Sequence, residues 1–136
     1  MKFLFSVKPK NPSIDLSLLL LRLGVGGLML THGVPKLQRL IVDGEISFAD
    51  PLGIGVVPSL LATILAEVGS STLIILGLGT RLASMSLIFT MAVAVFLHHA
   101  NDPFAQKELG LIYLLVYIVL LIMGSGKYSV DKYISR

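Results

Sequence analysis

The feature that most constrains this chain is a long apolar stretch near its start, Leu16 to Lys36, which reads LSLLLLRLGVGGLMLTHGVPK. It contains one arginine, Arg22, and one histidine, His32. A helix needs about 20 apolar residues to cross about 30 Å of hydrocarbon, whereas a buried strand or helix of a water-soluble domain needs no such length. The stretch therefore predicts a transmembrane helix, with Arg22 about 12 Å inside its start and close to mid-membrane.

The composition agrees with a membrane protein. Hydrophobic residues make up 54% and charged residues only 14% of the 136 residues, and the mean hydropathy is +0.87. This length favours one compact unit, so we expect a single transmembrane domain over residues 1–136. The sequence contains no cysteine, which excludes disulfides, thiolate metal sites and CxxC redox chemistry. The net charge of +3 does not predict a nucleic-acid partner, because the basic residues border apolar stretches.

Four apolar stretches have the length of a transmembrane helix. We place them at about residues 14–32, 57–78, 81–100 and 107–124. The prediction is an all-α, integral membrane four-helix transmembrane bundle with a long loop between spans 1 and 2.

That loop, residues 36–56, is the only long connection between predicted spans. Gly33 and Pro35 are expected to stop or kink the first span before it, and residues 37–42 have the pattern of one interfacial helical turn. Three acidic side chains of this region are interpreted as solvated loop charges: Asp43, Glu45 and Asp50.

Lysine and arginine residues are unevenly divided between the two sides of the predicted bundle. Seven belong to one side: Lys2, Lys8, Lys10, Arg81, Lys127, Lys132 and Arg136. Three belong to the other: Lys36, Arg39 and Lys107. The positive-inside rule then places both termini in the cytoplasm. An uncleaved first helix is favoured over a signal peptide, because no small-residue cleavage site follows it.

The second span also carries one charge near its middle, Glu67. A charged side chain is costly in hydrocarbon, and two opposite charges at one depth neutralise each other. We therefore predict an ion pair between Arg22 and Glu67. Three roles stay open: a bridge that fixes the register of the helices, a pair that also binds the polar head of a ligand, or an Arg22 that reaches the membrane surface alone.

A group of polar residues is expected together at the outer membrane face: His32, Lys36, His98, His99 and Glu108. Three roles stay open for its histidines. They lie at the membrane–water interface without a binding role, they bind a ligand or a proton, or they coordinate a metal. The spacing is a weak signal, and we predict no metal site. His98 and His99 are neighbours on a helix and point about 100° apart, so both are not expected to face one site.

Tyr117 lies about 13 Å inside the fourth span, too deep for an aromatic residue at the membrane surface. Its hydroxyl is expected to form a hydrogen bond inside the bundle, near Arg22 or Glu67. A tyrosine that only packs between helices is the alternative interpretation.

Two segments resemble signatures of the DoxX-like family of small four-span bacterial membrane proteins. The first, LRLGVGGLMLTHGVPKL, resembles an R-L-x-x-G…H-G…K-L pattern and holds Arg22, His32 and Lys36. The second, AEVGSSTLIILGLGTRLAS, holds Glu67 and Arg81.

A third segment resembles the last signature of the same family. It begins at Glu108 and continues through the glycines and acidic residue of GSGKYSVD, residues 124–131. The family usually shows proline between those two glycines, where this chain has Ser125. The resemblance therefore covers nearly the whole chain with one mild departure.

The resemblance implies a redox-associated protein of the bacterial cytoplasmic (inner) membrane. The family includes a subunit of an archaeal thiosulfate:quinone oxidoreductase and bacterial proteins tied to quinone or catechol stress. We therefore expect a quinone or a similar apolar ring to bind between the helices. Two alternatives stay open: a non-catalytic assembly subunit of a membrane oxidoreductase, and a small proton-coupled exporter. The expected partners are the lipid bilayer and a larger redox subunit, while catalytic turnover and homo-oligomer formation are left open.

The residues expected to bind the ligand are polar and lie on all four spans: Arg22, His32, Glu67, His98, His99 and Tyr117. Arg22 and Glu67 would form the polar floor of the site, and Tyr117 would line its wall. The histidines would supply hydrogen bonds or protons near its mouth. Three further residues are expected to have structural roles: Lys36, Arg81 and Glu108.

Overall fold

A computed structural model describes residues 2–7, 11–42 and 44–135 of the chain. Within these ranges it contains helices and no β-strand. We number the helices α1 (Lys2–Phe5), α2 (Pro12–Ile41), α3 (Val56–Leu76), α4 (Thr80–His98), α5 (Phe104–Met123) and α6 (Val130–Ile134). Helices α2 to α5 are long and apolar enough to cross a membrane. The predicted all-α bundle of four transmembrane helices is therefore confirmed.

The four long helices pack in chain order, α2 on α3, α3 on α4 and α4 on α5, and a contact between α2 and α5 closes the bundle. Short turns join α3 to α4 and α4 to α5, so neighbouring helices are antiparallel. We call the end of the bundle that holds α1, α6 and the start of α2 the terminal end. We call the other end, where residues 44–55 lie, the loop end. Four charged residues used in the sequence predictions lie outside the described residues: Lys8, Lys10, Asp43 and Arg136.

Gly33 and Pro35 were expected to stop or kink the first span, and they do not stop it: α2 has 30 residues and ends at Ile41. A proline inside a helix removes one backbone hydrogen bond and kinks the helix more often than it ends it in a membrane protein. Gly33 has a packing role instead. A Cβ added there would lie 2.8 Å from Cγ2 of Val68 and 3.0 Å from Cβ of Glu67. Glycine therefore allows α2 and α3 to approach closely at this point.

Arg22 holds the terminal end together, and the predicted pair with Glu67 is wrong. Its Nε donates to the carbonyl of Ile74 at 2.9 Å, and Nη2 donates to that of Ile75 at 3.1 Å. Nη1 donates to the carbonyls of Ser125 at 2.5 Å and Tyr128 at 2.9 Å. The guanidinium is 1% exposed, and its donors satisfy carbonyls left open at the end of α3 and in the segment after α5.

The segment after α5, residues 124–129, folds back against the bundle to reach Arg22. Gly124 and Gly126 have φ values of 76° and 77°, which favour glycine. Asp131 follows at the start of α6 and accepts a hydrogen bond from the Gly79 amide at 2.8 Å. The same carboxylate interacts electrostatically with Arg22. A stretch that looks like a polar tail in the sequence is thus an ordered and partly buried part of the fold.

Arg22 and Glu67 do not meet because they lie at different levels of the bundle. Glu67 lies beside Gly33, which is eleven residues after Arg22 in α2 and therefore about 16 Å further along the helix axis. The direction of their side chains separates them further. Side chains of an α-helix lean toward the N-terminus of their own helix. Helix α2 starts at the terminal end, so Arg22 leans toward that end. Helix α3 starts at the loop end, so Glu67 leans away from Arg22.

A substitution that separates α2 from α3 should lower stability. Gly33→Ala adds a Cβ against Val68 and Glu67, and we expect it to lower the free energy of unfolding by about 1–3 kcal/mol. The control is Gly27→Ala in the same helix, where an added Cβ has no neighbour within 4 Å and helix propensity favours alanine. Unfolding in detergent micelles measures both. Equal stability of the two variants would contradict the close contact.

Candidate functional site

A cavity of about 460 Å³ opens between α3, α4 and the loop that joins α2 to α3. Its volume is within the range of small-molecule sites, about 300–1,000 Å³. Most of the wall is apolar, from the loop and from both helices: Phe48, Leu52, Ile54, Ala62, Ala66, Phe89 and Val93. The polar part of the wall consists of Lys36, Ser59, Thr63, Glu67, Ser86, Thr90, His98 and His99.

The strongest polar contact of the cavity is an ion pair between Lys36 and Glu67, whose Nζ and Oε2 are 2.5 Å apart. Lys36 lies near the end of α2 and leans back toward the membrane interior, while Glu67 leans toward the loop end, so their side chains converge. Glu67 is only 4% exposed. A buried carboxylate needs such a partner, because an uncompensated charge in this place is costly. Lys36, expected to be structural, thus lies at the cavity wall beside Glu67.

Both cavity-lining helices change from α- to π-helical geometry where they carry these polar groups. The change covers Leu65–Ser70 in α3 and Ala94–His98 in α4. The amide of His99 donates to the carbonyl of Ala94 at 2.9 Å, five residues back. Single π-helical turns inside α-helices often occur at functional sites. The apolar pattern of the sequence gave no signal of either turn.

His98 and His99 both line the cavity, contrary to the prediction that neighbouring histidines on a helix would diverge. Their ring centroids are 4.5 Å apart. The prediction failed because α4 ends at His98, and His99 has left helical geometry with φ −97° and ψ 20°. Nδ1 of His99 lies 2.6 Å from Oδ2 of Asp102 in the following turn.

Asp50 fastens the loop to the start of α3 and is not the freely solvated charge that we predicted. Its carboxylate accepts hydrogen bonds from the amide of Ile54 at 2.9 Å, the amide of Gly55 at 2.8 Å and the hydroxyl of Ser59 at 2.8 Å. The bonds from Ser59 and then Gly55 lower the pKa of the Asp50 carboxyl below its ordinary value. This contact holds the loop over the cavity.

Three residues predicted to bind the ligand lie away from this cavity: Arg22, His32 and Tyr117. His32 is exposed on α2 and meets the ring of Tyr113 edge-on at 5.8 Å. Tyr113 in turn stacks on the buried Tyr117 at 6.1 Å. The Tyr117 hydroxyl lies beside that of Ser71, and neither makes a hydrogen bond of good geometry to a described residue. The predicted hydrogen bond to the region of Arg22 or Glu67 is therefore not formed.

Two residues expected to be structural also lie outside the cavity. Arg81, at the terminal end, donates to the carbonyls of Phe3, Ser6 and Leu121 and so joins α1 to α4 and α5. Glu108 is exposed near the start of α5. The predicted outer cluster of five residues is thus divided, and only Lys36, His98 and His99 share the cavity.

Sequence reasoning missed Asp50 and Asp102. Asp102 follows His99 by three residues, a spacing that allows contact across a turn, but this signal is common and weak. Among the described residues, no group of three or more histidine, aspartate and glutamate side chains could hold a metal ion.

Comparison with known proteins identifies the family. The family model of DoxX matches residues 17–100. The chain belongs to the DoxX family. The matched part of this DoxX protein contains Lys36, Glu67, His98 and His99, whereas Asp102 and the third predicted signature lie beyond it. With four helices that can span a bilayer, it is a multi-pass membrane protein.

A relative of this DoxX protein is described only as an uncharacterized protein, from Haemophilus influenzae. The two are 32% identical over 119 residues, which cover 82% of this chain and 86% of the relative. No solved structure matches the chain. The relative's description assigns no activity.

The Lys36–Glu67 pair can be tested with a double-mutant cycle. Lys36→Met leaves a buried carboxylate without its cation, so it should cost more stability alone than in combination with Glu67→Gln. We expect a coupling energy of about 1–3 kcal/mol, measured by unfolding in detergent micelles. Arg39→Met, at an exposed position one turn further along α2, is the control. Additive effects of Lys36→Met and Glu67→Gln would contradict the pair.

The Asp50 contact predicts a dependence on pH. Because the folded-state pKa is lowered, the contact stabilises the fold fully above the ordinary aspartate pKa of about 3.9 and is lost as the pH falls through the lower folded value. The amide proton shift of Gly55, followed by NMR, should titrate with a midpoint below about 3.9. Asp50→Asn should abolish this titration. A midpoint at or above the ordinary value would contradict the three hydrogen bonds.

Proposed function

We propose that this DoxX protein binds a quinone, or a ligand with a similar polar ring and apolar tail, in the cavity between α3 and α4. One observation carries the proposal: an apolar cavity of about 460 Å³ ends at the Lys36–Glu67 pair and two histidines. Ligand sites of this kind combine a mostly apolar wall with a few polar groups that fix orientation.

The polar end of the cavity has the donors that a quinone ring requires. An ammonium group has three N–H donors, and Lys36 uses one of them on Glu67. The remaining donors are available for a ring carbonyl, while Glu67 holds the ammonium group in place. The apolar side chains around Ala62 and Phe89 suit a tail that continues along the helices.

The location of the cavity supports a site that faces the outside of a bacterial inner membrane. Helices α1 and α6 lie at the same end of the bundle, where α1 contacts both α4 and α6. In the sequence, seven lysine and arginine residues belong to the predicted side of the termini and three to the other, and such residues favour the cytoplasm. With the terminal end in the cytoplasm, the cavity opens at the opposite membrane face. The redox role of the protein would then be to bind the quinone at the outer membrane face, either by itself or in a complex with a larger redox subunit.

The proposal predicts that filling the cavity removes quinone binding. Ala62 is exposed on the cavity wall, so Ala62→Phe fills space without crowding the core. We expect Ala62→Phe to weaken binding of decylubiquinone in nanodiscs at least about tenfold, equivalent to about 1.4 kcal/mol. The matched control is Ala105→Phe, at an exposed position near the start of α5, with unchanged affinity. Titration calorimetry measures both.

Two outcomes would overturn the proposal. In the first, neither decylubiquinone nor a menaquinone analogue binds the purified wild-type protein. In the second, the Ala62→Phe variant binds both ligands with the same affinity as the wild type. In the first case, co-purification with a stoichiometric membrane oxidoreductase would favour the assembly-subunit alternative.

A further inference from the structure

The contact between His99 and Asp102 determines which ring nitrogen of the histidine carries a proton. Nδ1 of His99 lies 2.6 Å from Oδ2 of Asp102. An ionised carboxylate only accepts hydrogen bonds, so Nδ1 must be the donor. In a neutral imidazole one nitrogen is a donor and the other an acceptor. Nε2 of His99 is therefore an acceptor while the ring is neutral.

This acceptor is available to an occupant of the cavity. His99 lines the cavity, and Nε2 has no hydrogen-bond partner among the residues that the structure describes. The His99 side chain is 32% exposed and that of Asp102 is 40% exposed, so the pair is partly open to solvent, with His99 on the cavity wall. Elsewhere on the cavity wall, Lys36 provides donors and Glu67 is engaged with Lys36.

We propose that His99 accepts a hydrogen bond from a ring hydroxyl of the ligand, and that Asp102 is a positioning residue that fixes the acceptor tautomer. The site would then prefer the reduced, hydroxyl-bearing form, a hydroquinone, over the oxidised quinone. This inference rests on the proposed function, because it concerns the same cavity. It adds which redox form the cavity selects.

The two redox forms differ in the hydrogen bonds that they can form with Lys36 and with His99. A carbonyl and a hydroxyl oxygen both accept a hydrogen bond from Lys36, so this contact does not separate the forms. Only a hydroxyl can donate to Nε2 of His99, whereas a carbonyl oxygen there would face another acceptor. A site that hydrogen-bonds a hydroxyl rejects an analogue that lacks it, because its own polar group stays unpaired.

The experiment compares decylubiquinol with decylubiquinone, bound to the full chain in nanodiscs without oxygen at about pH 8, where free imidazole is neutral. We expect the hydroquinone to bind about five- to tenfold more tightly, the effect of one net hydrogen bond. Asp102→Asn should abolish this preference, because carbonyl and hydroxyl oxygens both accept a hydrogen bond from a donor nitrogen. The asparagine amide can donate to Nδ1, which moves the ring proton to Nε2 and makes Nε2 a donor. Asn101→Ala, in the same turn, should leave the ratio unchanged.

A spectroscopic measurement separates positioning from a merely structural effect. In protein with ¹⁵N-labelled histidine, the His99 signals should show a protonated Nδ1 in the wild type and a protonated Nε2 in Asp102→Asn. Asp102→Glu keeps an acceptor and should retain both the wild-type tautomer and the preference for hydroquinone. These variants alter an exposed turn, and circular dichroism verifies that each one folds.

The outcomes distinguish the inference from the function on which it rests. If wild-type protein binds both forms equally, or if Asp102→Asn leaves the ratio unchanged, the role of His99 and Asp102 is wrong while quinone binding stands. If neither form binds wild-type protein, the proposed function is wrong as well. A protonated Nε2 in wild-type His99 overturns the assigned tautomer independently of any ligand.

Discussion

Arg22 is the charged side chain on which the arrangement of the bundle depends. A guanidinium in the membrane interior has to be satisfied by the protein, and here its partners are backbone carbonyls at the end of α3 and in residues 125–128. One side chain thereby joins α2, α3 and the segment after α5. Gly77 leaves the space that the guanidinium occupies, since a Cβ there would lie 2.7 Å from Nη2 of Arg22. The contacts of Arg22 thus tie together the elements of the terminal end.

The opposite end is built differently, because α2 packs against α3 in a register that brings the last turns of α2 beside Glu67. Lys36 and Glu67 come from antiparallel helices and converge near the loop end, where they neutralise each other beside a cavity. The π-helical turns of α3 and α4 lie at the same level of the bundle as this cavity. Asp50 then fastens the covering loop to the start of α3.

This division clarifies what the polar residues of such a small membrane protein do. Arg22, Arg81 and Asp131 bind backbone groups and stabilise the terminal end. Lys36 and His99 keep donor or acceptor capacity that the fold does not use, and both line the cavity. A ligand is therefore expected to bind where polar side chains still have unused hydrogen-bond donors or acceptors. A charged residue within a transmembrane helix does not by itself indicate a binding site.

The sequence alone determined the class of the protein, the number of spans and the family, because apolar length and the spacing of a few polar residues are local properties. It also singled out Glu67, His98 and His99, since polar groups in apolar stretches are rare. It could not pair Glu67 with Lys36, because the register between α2 and α3 is a tertiary property, and this register places Glu67 beside Gly33 and away from Arg22. The path of α2 through Pro35, the burial of the segment after Gly124 and the roles of Asp50 and Asp102 were likewise decided by tertiary contacts. Each depends on which distant backbone or side-chain group lies within hydrogen-bond distance, and that is a property of the packed helices.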